Sequence, residues 1–504
     1  MKPALLASCA LLAGALHAQQ TLIVPDGYAT IQAAIDAAET GDTVVVRPGT
    51  YVEQIDMLGK AIVLRSEGGP DVTTIDSQGA SRWFDEAEYC VVRMISGEGP
   101  STVLEGFTIT GGNAPSPVQD GSGVYARNLS PTLRDCTITG NVGRDGGGVQ
   151  GNVTIEGCRI TNNRAAHGYR GGGVYGQVVV RDSVITGNIS EERGGGIYST
   201  GDSLVEDTIL DGNSSGRGPD GYTGGGYFGP GTLRRCQITR NDSQHRFFSG
   251  GVDELGTGVD GATAMIQCTV AFNTVLNGAV PGDESGGIRN VGLVEGCILF
   301  GNENLDVALL SSPTVRYSIV GSGFAGTGNT SADPQFRDAA SGDYFLQPWS
   351  PAIDAGDPLG FPDPDGTEPD LGAFFFPQFQ ASRVLRNGSG VNLASYGSIL
   401  DPVVGTAWVA TVDAASHGIG ATMVSLIGFA DPLTPLAFPF GELLVDVNSA
   451  NAFVSTELVL GGQSVHQLPI PPDYSLGGLE LFTQGVVFGS GIALTNALDL
   501  TVGL

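Results

Sequence analysis

Four charged residues stand immediately before glycine-rich turns that recur along the chain. They are Asp120, Asp145, Arg170 and Arg193, and His167 lies close to the third of them. If the glycine turns lie on successive units of a repeat, two carboxyl groups stand beside two guanidinium groups. Paired carboxylates can divide the roles of general acid and general base, and with an arginine they can also bind calcium and a uronate. An exposed ladder of ion pairs, each contributing little, is the alternative.

Three tyrosines follow the glycine turns at a constant offset. Tyr125, Tyr175 and Tyr198 each come one residue after an aliphatic residue that is predicted to point inward. Successive residues of a strand point to opposite sides, so these rings should face outward. They could form a shallow aromatic stripe that contacts sugar rings, or they could be ordinary packing of the surface.

An acidic segment at 362–372, PDPDGTEPDLG, holds three candidate calcium ligands, Asp363, Asp365 and Asp370. With Gly366 at a turn, it resembles the start of a calcium loop, but no terminal glutamate stands in register to bind the ion with both oxygens. The prolines of the segment favour a solvated linker instead. Calcium is the only cofactor that the sequence suggests, and none is required.

The elements that must position these residues belong to a repeat. Between Leu104 and Asn302 a short element, such as LRDCTITGN at 133–141, recurs at intervals of roughly 22 to 32 residues, which is typical of stacked units. Aligning the copies gives three columns of inward residues, namely Leu133, Ile155, Val180, Val205, Leu233, Met265 and Val294; Cys136, Cys158, Ser183, Thr208, Cys236, Cys268 and Cys297; and Ile138, Ile160, Ile185, Leu210, Ile238, Val270 and Leu299.

The spacing within each unit predicts strands rather than helices. The second and third columns lie two residues apart, which is the alternation of a strand, and the first lies three residues earlier, so the chain must bend between them. A fourth column follows the glycine clusters and comprises Val124, Val149, Val174, Ile197, Tyr227, Val252 and Ile288. Units that direct strands from several faces toward one axis stack into a parallel β-helix.

Each repeated element ends on an asparagine. The set is Asn141, Asn163, Asn188, Asn213, Asn241, Asn273 and Asn302. Asparagine tolerates left-handed backbone angles at a turn, and its amide can bond to the equivalent amide one unit away. We therefore expect a structural asparagine ladder.

The five cysteines of the second column, with Cys90, make six after the first eighteen residues. Neighbouring cysteines would lie close enough for disulfides. Stacked side chains point in parallel, however, and Ser183 and Thr208 occupy the same column, so a stack of small core residues is favoured. Metal binding by the cysteines is not expected, since the sequence has no CxxC pair.

The start of the repeat has the features of a cap. Residues 30–38, TIQAAIDAA, predict a short amphipathic helix that covers the open end of the core. Ahead of it, Lys2 and the apolar run from Ala4 to Leu16 resemble a secretory signal peptide at 1–18. No other segment reaches the length of a membrane span.

The composition limits the partners. A formal net charge of −29 excludes a nucleic-acid partner, because no basic surface is available to neutralise phosphates. The same charge keeps a secreted protein soluble and favours a monomer.

The composition changes near residue 380. Segments such as ATMVSLIGFA at 421–430 and GELLVDV at 441–447 read as strands between glycine and proline turns. A β-sandwich at 380–504 is therefore predicted, after a β-helix at 21–376. It resembles C-terminal modules of secreted bacterial proteins, which implies sorting, attachment or binding.

The opening TIQAAIDAA and GDTVVVRPGTYVE, the CTITGN-type coils and the ending SPAIDAGDP resemble bacterial right-handed parallel β-helix proteins of the pectate-lyase-like superfamily. The resemblance implies the fold but no particular activity, because the superfamily includes lyases, hydrolases, esterases, epimerases and adhesins. The motifs that carry the lyase, polygalacturonase and epimerase activities are absent from the sequence. We therefore expect a secreted or cell-surface protein that binds an extracellular polysaccharide or a surface partner, with a polysaccharide lyase or glycoside hydrolase as the alternative.

Overall fold

The computed structural model describes residues 19–79, 89–113, 122–127, 130–166, 169–216, 224–244, 256–276, 286–308, 312–378, 380–471 and 476–503. The predicted signal peptide, 1–18, lies outside these residues. The chain divides into two compact units. The first comprises Met1–Phe361 and Glu368–Phe375, and the second comprises Pro362–Thr367 and Phe376–Leu504.

The first unit is a parallel β-helix whose described strands form four parallel sheets, named here by their number of strands. The twelve-stranded sheet contains, in order, Thr21–Val24, Thr43–Val46, Val63–Ser66, Val103–Glu105, Thr132–Arg134, Thr154–Glu156, Val179–Arg181, Ser203–Glu206, Gly231–Arg234, Ala264–Ile266, Leu293–Glu295 and Thr314–Arg316. The eleven-stranded sheet contains Gly49–Tyr51, Thr73–Asp76, Thr108–Thr110, Thr137–Thr139, Arg159–Thr161, Val184–Thr186, Ile209–Asp211, Gln237–Thr239, Thr269–Ala271, Ile298–Phe300 and Ile319–Val320.

Two further parallel sheets complete the coils. The nine-stranded sheet contains Ile55–Asp56, Val92–Met94, Val124–Ala126, Val149–Gln150, Val174–Gly176, Ile197–Ser199, Tyr227–Phe228, Val259–Asp260 and Ile288–Arg289. The six-stranded sheet contains Val142–Gly143, Arg164–Ala165, Ile189–Ser190, Ser214–Ser215, Asp242–Gln244 and Thr274–Leu276. The all-β fold class predicted from the repeat is confirmed, because each coil adds one strand to each sheet that it reaches.

The core of the β-helix is built from the predicted columns. The first column is paired strand to strand in the twelve-stranded sheet, as in Leu133 with Ile155, and the third is paired in the eleven-stranded sheet, as in Ile138 with Ile160. All members of both columns have no exposed surface. Stacked aliphatic residues at successive rungs form one continuous core along the axis.

One member of the fourth column was assigned wrongly. Val259, not Val252, pairs with Tyr227 on one side and with Ile288 on the other. The sequence GVD occurs at 251–253 and again at 258–260, so the pattern alone offers two equivalent choices. Val252 lies outside the described residues.

The asparagine ladder is present. Each side-chain amide donates to the side-chain oxygen of the next asparagine at 2.9–3.0 Å, from Asn141 to Asn302. The left-handed backbone lies one residue earlier than expected, for example at Gly140 and Asn162. The asparagine itself can therefore direct its side-chain amide inward. There the hydrogen bonds of the ladder take the place of hydrogen bonds to water for each buried amide.

The cysteine column is a stack of free thiols rather than disulfides. Cys136, Cys158, Cys236, Cys268 and Cys297 are buried and reduced. The Cys136 backbone N–H lies 3.4 Å from Cys158 Sγ, which shows how closely the rungs stack. The column therefore belongs to the packed core.

The outer face of the twelve-stranded sheet carries a row of alternating charges, which we call the charge row. In pairing order it comprises Arg65, Glu105, Arg134, Glu156, Arg181, Glu206, Arg234, Ile266, Glu295 and Arg316. Neighbours form ion pairs, as in Arg134 with Glu156 and Arg181 with Glu206, both at 3.1 Å. A one-residue slip would remove these pairs, so the row favours the native register.

A helix covers the start of the core, as predicted. Ile31–Ala37 is α-helical, Thr30 Oγ accepts from the Ala33 N–H at 3.1 Å, and Ile31 and Ile35 are buried in the core. Near the other end, Phe336–Asp338 and Asp343–Leu346 form an antiparallel hairpin, which we call the closing hairpin. Among the described residues, no helix is both long and apolar enough to cross a membrane.

The second unit is antiparallel. A five-stranded sheet contains Ser382–Arg386, Ile492–Thr501, Glu480–Phe488, Met423–Phe429 and Asn451–Leu458; a three-stranded sheet contains Tyr396–Ser398, Ala407–Asp413 and Gln463–Pro469; and Pro432–Phe438 pairs with Gly441–Val445. A 3-10 turn spans Ala415–His417. Both larger sheets contribute to one apolar core, with Trp408 and Val412 from one and Leu426 and Val487 from the other.

Candidate functional site

The glycine turns stack in register and bring the predicted charged column together. The Gly146 N–H donates to the Arg170 carbonyl and the Gly171 N–H donates to the Arg193 carbonyl, both at 3.0 Å. Gly146 has a φ of +65°, and a Cβ on it would lie 2.3 Å from the Val149 carbonyl oxygen. Only glycine fits this close stacking, which holds Asp145, Arg170 and Arg193 on three successive coils.

Asp145 is the mostly buried member of this column and contacts Arg170 on the next coil. Its Oδ1 accepts the Arg170 backbone N–H at 3.1 Å and lies 4.0 Å from the Arg170 Nε, and only 10% of its side chain is exposed. Burial raises the pKa of Asp145 above its ordinary value, although the backbone N–H and the charges of Arg170 and Arg144 oppose the shift. The Arg170 Nε also lies 3.3 Å from Glu192 Oε2.

Three aromatic rings stack along the neighbouring strands. The ring centroids of Tyr175 and Tyr198 are 5.2 Å apart, and those of Tyr198 and Phe228 are 5.1 Å apart, with interplanar angles of 15° and 22°. The guanidinium carbon of Arg170 lies 5.3 Å from the centre of the Tyr198 ring, and that of Arg193 lies 4.9 Å from the centre of Phe228. These are cation–π distances.

We call Arg170, Arg193, Tyr175, Tyr198 and Phe228 the arginine–aromatic row. Its guanidinium groups and phenol hydroxyls are hydrogen-bond donors beside apolar rings, and the Arg170 Nη1 donates to the Tyr198 hydroxyl at 3.3 Å. Burial, and next the charge of Asp145, raise the pKa of Tyr175, so this phenol stays protonated. Since neighbouring rings stack on both sides of Tyr198, a ligand would contact its edge and hydroxyl rather than its face.

The three rings of the row are part of a longer line of outward residues on the nine-stranded sheet, whereas Arg170 and Arg193 precede its strands. In pairing order the line comprises Asp56, Arg93, Tyr125, Gln150, Tyr175, Tyr198, Phe228, Asp260 and Arg289. Ion pairs lie toward both ends, Arg93 with Asp56 at 3.2 Å and Arg289 with Asp260 at 3.5 Å. The aromatic part of the line therefore lies between two ion pairs along the axis of the β-helix.

Tyr125 does not belong to an exposed stripe. It lies on the predicted outward line, but only 7% of it is exposed, and it packs with Cys90 and Ile95. Gln150 separates it from Tyr175. The expectation that it forms one exposed stripe with Tyr175 and Tyr198 was wrong, because a residue that points away from the solenoid axis can still be covered by another part of the chain.

Two predicted site residues, Asp120 and His167, lie outside the described residues. The structure adds others that sequence reasoning missed. Phe228 follows the inward Tyr227 by one position, as Tyr198 follows Ile197, and Gln150 follows Val149 in the same way. Applying the same offset to every residue type, rather than to tyrosine alone, would have found both.

The three predicted calcium ligands are divided between the two units. In the second unit, Asp365 Oδ1 accepts from the Thr367 N–H at 3.2 Å and the Thr367 hydroxyl at 2.8 Å. In the first, Asp370 Oδ1 accepts from the Asp354 N–H at 2.8 Å, and Asp363 of the second unit is buried. Within the described part of the chain, no group of three or more His, Cys, Asp or Glu residues has a metal-binding arrangement.

The comparisons with known proteins concern the fold. A family model described as "Right handed beta helix region" matches residues 94–275. A comparison with curated proteins finds no match. Among solved structures, a pectin methylesterase mutant in complex with a hexasaccharide is similar over 67% of this chain and 99% of its own, with 10% sequence identity and a TM-score of 0.31. That score is too low to indicate a shared activity.

Proposed function

We propose that the protein binds an extracellular polysaccharide through the arginine–aromatic row. The observation that carries the proposal is the continuity of the row, in which two guanidinium groups and three rings repeat over successive coils. Strands stack at about 4.8 Å, so equivalent donors recur along the axis at the spacing of one rung. A chain of repeating sugar units offers hydroxyl groups and apolar ring faces at a comparable regular spacing.

The chemistry of the row suits a sugar chain better than a protein or a nucleic acid. Arginine and tyrosine donate to hydroxyl and carboxylate oxygens, and aromatic surface contacts the C–H groups of sugars. The carboxylates Asp145 and Glu192 lie next to Arg170 and offset part of its positive charge, which disfavours a nucleic acid with a phosphate at every unit. The phenol hydroxyls of the row can accept as well as donate hydrogen bonds, and the hydroxyl groups of a sugar also do both.

A second candidate function is catalysis on a uronate-containing glycan by a lyase or hydrolase mechanism. The observation in its favour is Asp145, a buried carboxyl whose pKa is raised and which lies beside Arg170. A raised pKa suits a group that donates a proton, and a guanidinium can hold a uronate. If Asp145 acts as the acid, activity should fall as the pH rises through its pKa; if it acts as the base, activity should rise.

Affinity electrophoresis in gels that contain neutral or uronate-rich polysaccharides tests the binding proposal. The wild type should be retarded by at least one polysaccharide, and Tyr198→Ala and Arg170→Ala should each weaken the retardation about tenfold, the scale of one lost aromatic or charged contact. Arg181→Ala, which removes an arginine from the charge row, is the matched control and should bind as the wild type does. Equal retardation of all four proteins would place binding elsewhere.

The same polysaccharides, incubated with the protein with and without calcium, test for catalysis. New reducing ends indicate hydrolysis, and ultraviolet absorbance of unsaturated products indicates a lyase. Activity that disappears in Asp145→Asn while binding persists would make the protein an enzyme. A calorimetric titration with calcium tests the proposed ligands Asp363, Asp365 and Asp370, and the absence of heat would contradict them.

The proposal also covers the location of the protein, its oligomeric state and the role of the C-terminal module. We propose that residues 1–18 direct secretion, that the β-helix at 21–376 acts outside the cell as a monomer, and that the module at 380–504 is a β-sandwich for sorting, attachment or binding. Detection of the protein with an antibody in the culture medium and on the cell surface would show where the mature chain resides. Size-exclusion chromatography with light scattering would give its mass.

A further inference from the structure

The closing hairpin forms a groove on a different face of the β-helix from the arginine–aromatic row. The groove has a volume of about 670 Å³ and lies between the hairpin and the outer side of the eleven-stranded sheet, next to Ile209–Asp211 and Gln237–Thr239. Small-molecule sites fall in a range of roughly 300 to 1,000 Å³. The hairpin tip rests on the sheet, since a Cβ on Gly342 would lie 3.0 Å from the Arg240 guanidinium.

The polar groups of the groove are arranged as two matched ion pairs. Asp211 binds the Arg240 guanidinium through both oxygens, at 2.8 and 2.6 Å. Asp343 Oδ2 accepts from the Arg337 Nε and Nη2 at 3.0 and 2.8 Å. Both pairs line the groove and their charges cancel, while N–H groups and carboxylate lone pairs remain for additional hydrogen bonds.

The apolar part of the groove is a pair of stacked rings. The centroids of Phe345 and Phe374 are 4.4 Å apart at an interplanar angle of 23°, and the Arg337 guanidinium lies 4.9 Å from the centre of Phe345. Phe345 is 43% exposed, which is high for a phenylalanine. Exposed aromatic surface next to aligned ion pairs is a feature of binding sites rather than of solvated surface.

These features restrict the ligand. An anion would meet Asp211 and Asp343, a cation would meet Arg240 and Arg337, and a purely apolar molecule would leave the ion pairs unused and partly desolvated. A neutral sugar has an apolar C–H face and hydroxyl groups that both donate and accept. We infer that this groove is a second saccharide site, specific for a neutral oligosaccharide, and independent of the arginine–aromatic row.

The test uses full-length protein carrying Tyr198→Ala, which weakens binding at the arginine–aromatic row about tenfold. Isothermal titration with neutral hexasaccharides of β-1,3-glucan, β-1,4-glucan, β-1,4-mannan and β-1,4-xylan, and with hexagalacturonate as the acidic probe, measures the binding that remains, and substitutions in the groove then assign it. At least one neutral hexasaccharide should bind with a Kd of about 1 mM or tighter, a strength that a small open site can supply. Hexagalacturonate should bind more weakly than that sugar.

Two further substitutions, each added to Tyr198→Ala, place the binding. Phe345→Ala removes the exposed ring, and Ser341→Trp fills the groove from the hairpin turn; each should weaken binding about tenfold. Trp349→Ala, which removes an aromatic residue that is 67% exposed and does not line the groove, is the matched control and should have no effect. Thermal unfolding of each variant checks that the fold persists.

The outcomes separate this inference from the proposed function. Absence of binding by every neutral hexasaccharide, unchanged binding in both Phe345→Ala and Ser341→Trp, or preference for hexagalacturonate would each overturn the groove as a neutral-sugar site. The arginine–aromatic row is the same in every protein compared, so a change in binding caused by Phe345→Ala or Ser341→Trp belongs to the groove. Conversely, unchanged polysaccharide retention in Tyr198→Ala alone, together with hexasaccharide binding that Phe345→Ala weakens, would contradict the row and support the groove.

Discussion

Two outward rows run along the same β-helix and follow opposite rules. In the charge row of the twelve-stranded sheet, acidic and basic residues alternate, so that most carry an opposite charge on each side, as Arg134 does between Glu105 and Glu156. In the arginine–aromatic row, rings of the nine-stranded sheet stack on one another, and Arg170 and Arg193 lie just before strands of neighbouring coils. Residues of the charge row form ion pairs with one another, whereas the arginine–aromatic row stacks ring on ring and places two arginines on neighbouring coils.

The difference distinguishes a row that stabilises the sheet from the row that we propose binds a ligand, called the binding row below. Alternating charges satisfy each other and favour one register, which is what a sheet with a solvated face needs. Arg170 and Arg193 place like charges on adjacent coils, and the half-buried rings of Tyr175, Tyr198 and Phe228 keep part of their apolar surface in contact with water. An arrangement that lowers stability slightly but presents donors and apolar surface is more easily explained by a ligand.

The largest expected effect comes from converting the binding row into a charge row. Tyr198→Glu places a carboxylate between Arg170 and Arg193, so both guanidinium groups gain a partner and the ring stack is interrupted. Polysaccharide retention in affinity electrophoresis should fall by about tenfold or more. The unfolding free energy should change by no more than about 2 kcal/mol, since two stacking contacts are lost and ion pairs are gained.

The reciprocal replacement, Glu156→Tyr in the charge row, is the control for that experiment. It adds a ring to the other sheet and should leave retention unchanged. Retention equal to that of the wild type in Tyr198→Glu would contradict a difference in function between the two rows.

A smaller effect is expected from breaking the alternation. Glu206→Arg puts three arginines in succession with Arg181 and Arg234, and removes the 3.1 Å pair with Arg181. The unfolding free energy should fall by about 1 kcal/mol, measured by urea denaturation at low ionic strength, and high salt should reduce the difference. If the loss is independent of salt, the alternation does not act through charge.

The ionisation of Asp145, which lies next to Arg170 of the binding row, gives a pH-dependent test. Because its pKa is raised on folding, the folded protein holds this proton more tightly than the unfolded chain. The resulting stability is present below the unfolded pKa of about 4 and is lost as the pH rises through the folded pKa. The melting temperature of Asp145→Asn relative to the wild type should therefore rise between about pH 4 and pH 7.

A constant difference in melting temperature across that range would contradict the raised pKa. A difference that falls with increasing pH would reverse its sign and indicate that Arg170 stabilises the carboxylate more than burial disfavours it.

The smallest expected effect is the removal of a single charge from the charge row. Arg181 is 40% exposed, and exposed ion pairs contribute about 0.2 to 1 kcal/mol. Arg181→Ala should lower the unfolding free energy within that range and leave polysaccharide retention unchanged. A larger loss would indicate that the row acts as a cooperative network rather than as separate pairs.

Much of the fold could be predicted because the repeated sequence pattern identifies the positions that point inward. Every coil repeats the same inward positions, so Leu133, Ile155 and Val180 identify one column before any contact is known. The prediction failed where the pattern was degenerate, as with Val252 and Val259, which share the local sequence GVD. The prediction also placed the left-handed residue at the asparagine, whereas the backbone turns one residue earlier.

The candidate site was predicted only in part. The offset from the glycine turns identified Asp145, Arg170 and Arg193 as neighbours, because residues at equivalent positions of a stacked repeat are adjacent. Burial could not be obtained in this way, so Tyr125 was expected to be exposed. The partners that give the row its character, Phe228 beneath Arg193 and Glu192 beside Arg170, depend on side-chain geometry.

The sequence by itself determined the β-helix, its inward columns and the asparagine ladder, because each of these depends on local periodicity repeated at every coil. Only the tertiary structure decided which outward residues act together. Outward residues on neighbouring rungs are separated by roughly 22 to 32 positions in the chain, and their types vary from coil to coil. The alternation of the charge row, the stacking of Tyr198 and the groove beneath the closing hairpin become visible only when the coils are stacked in register.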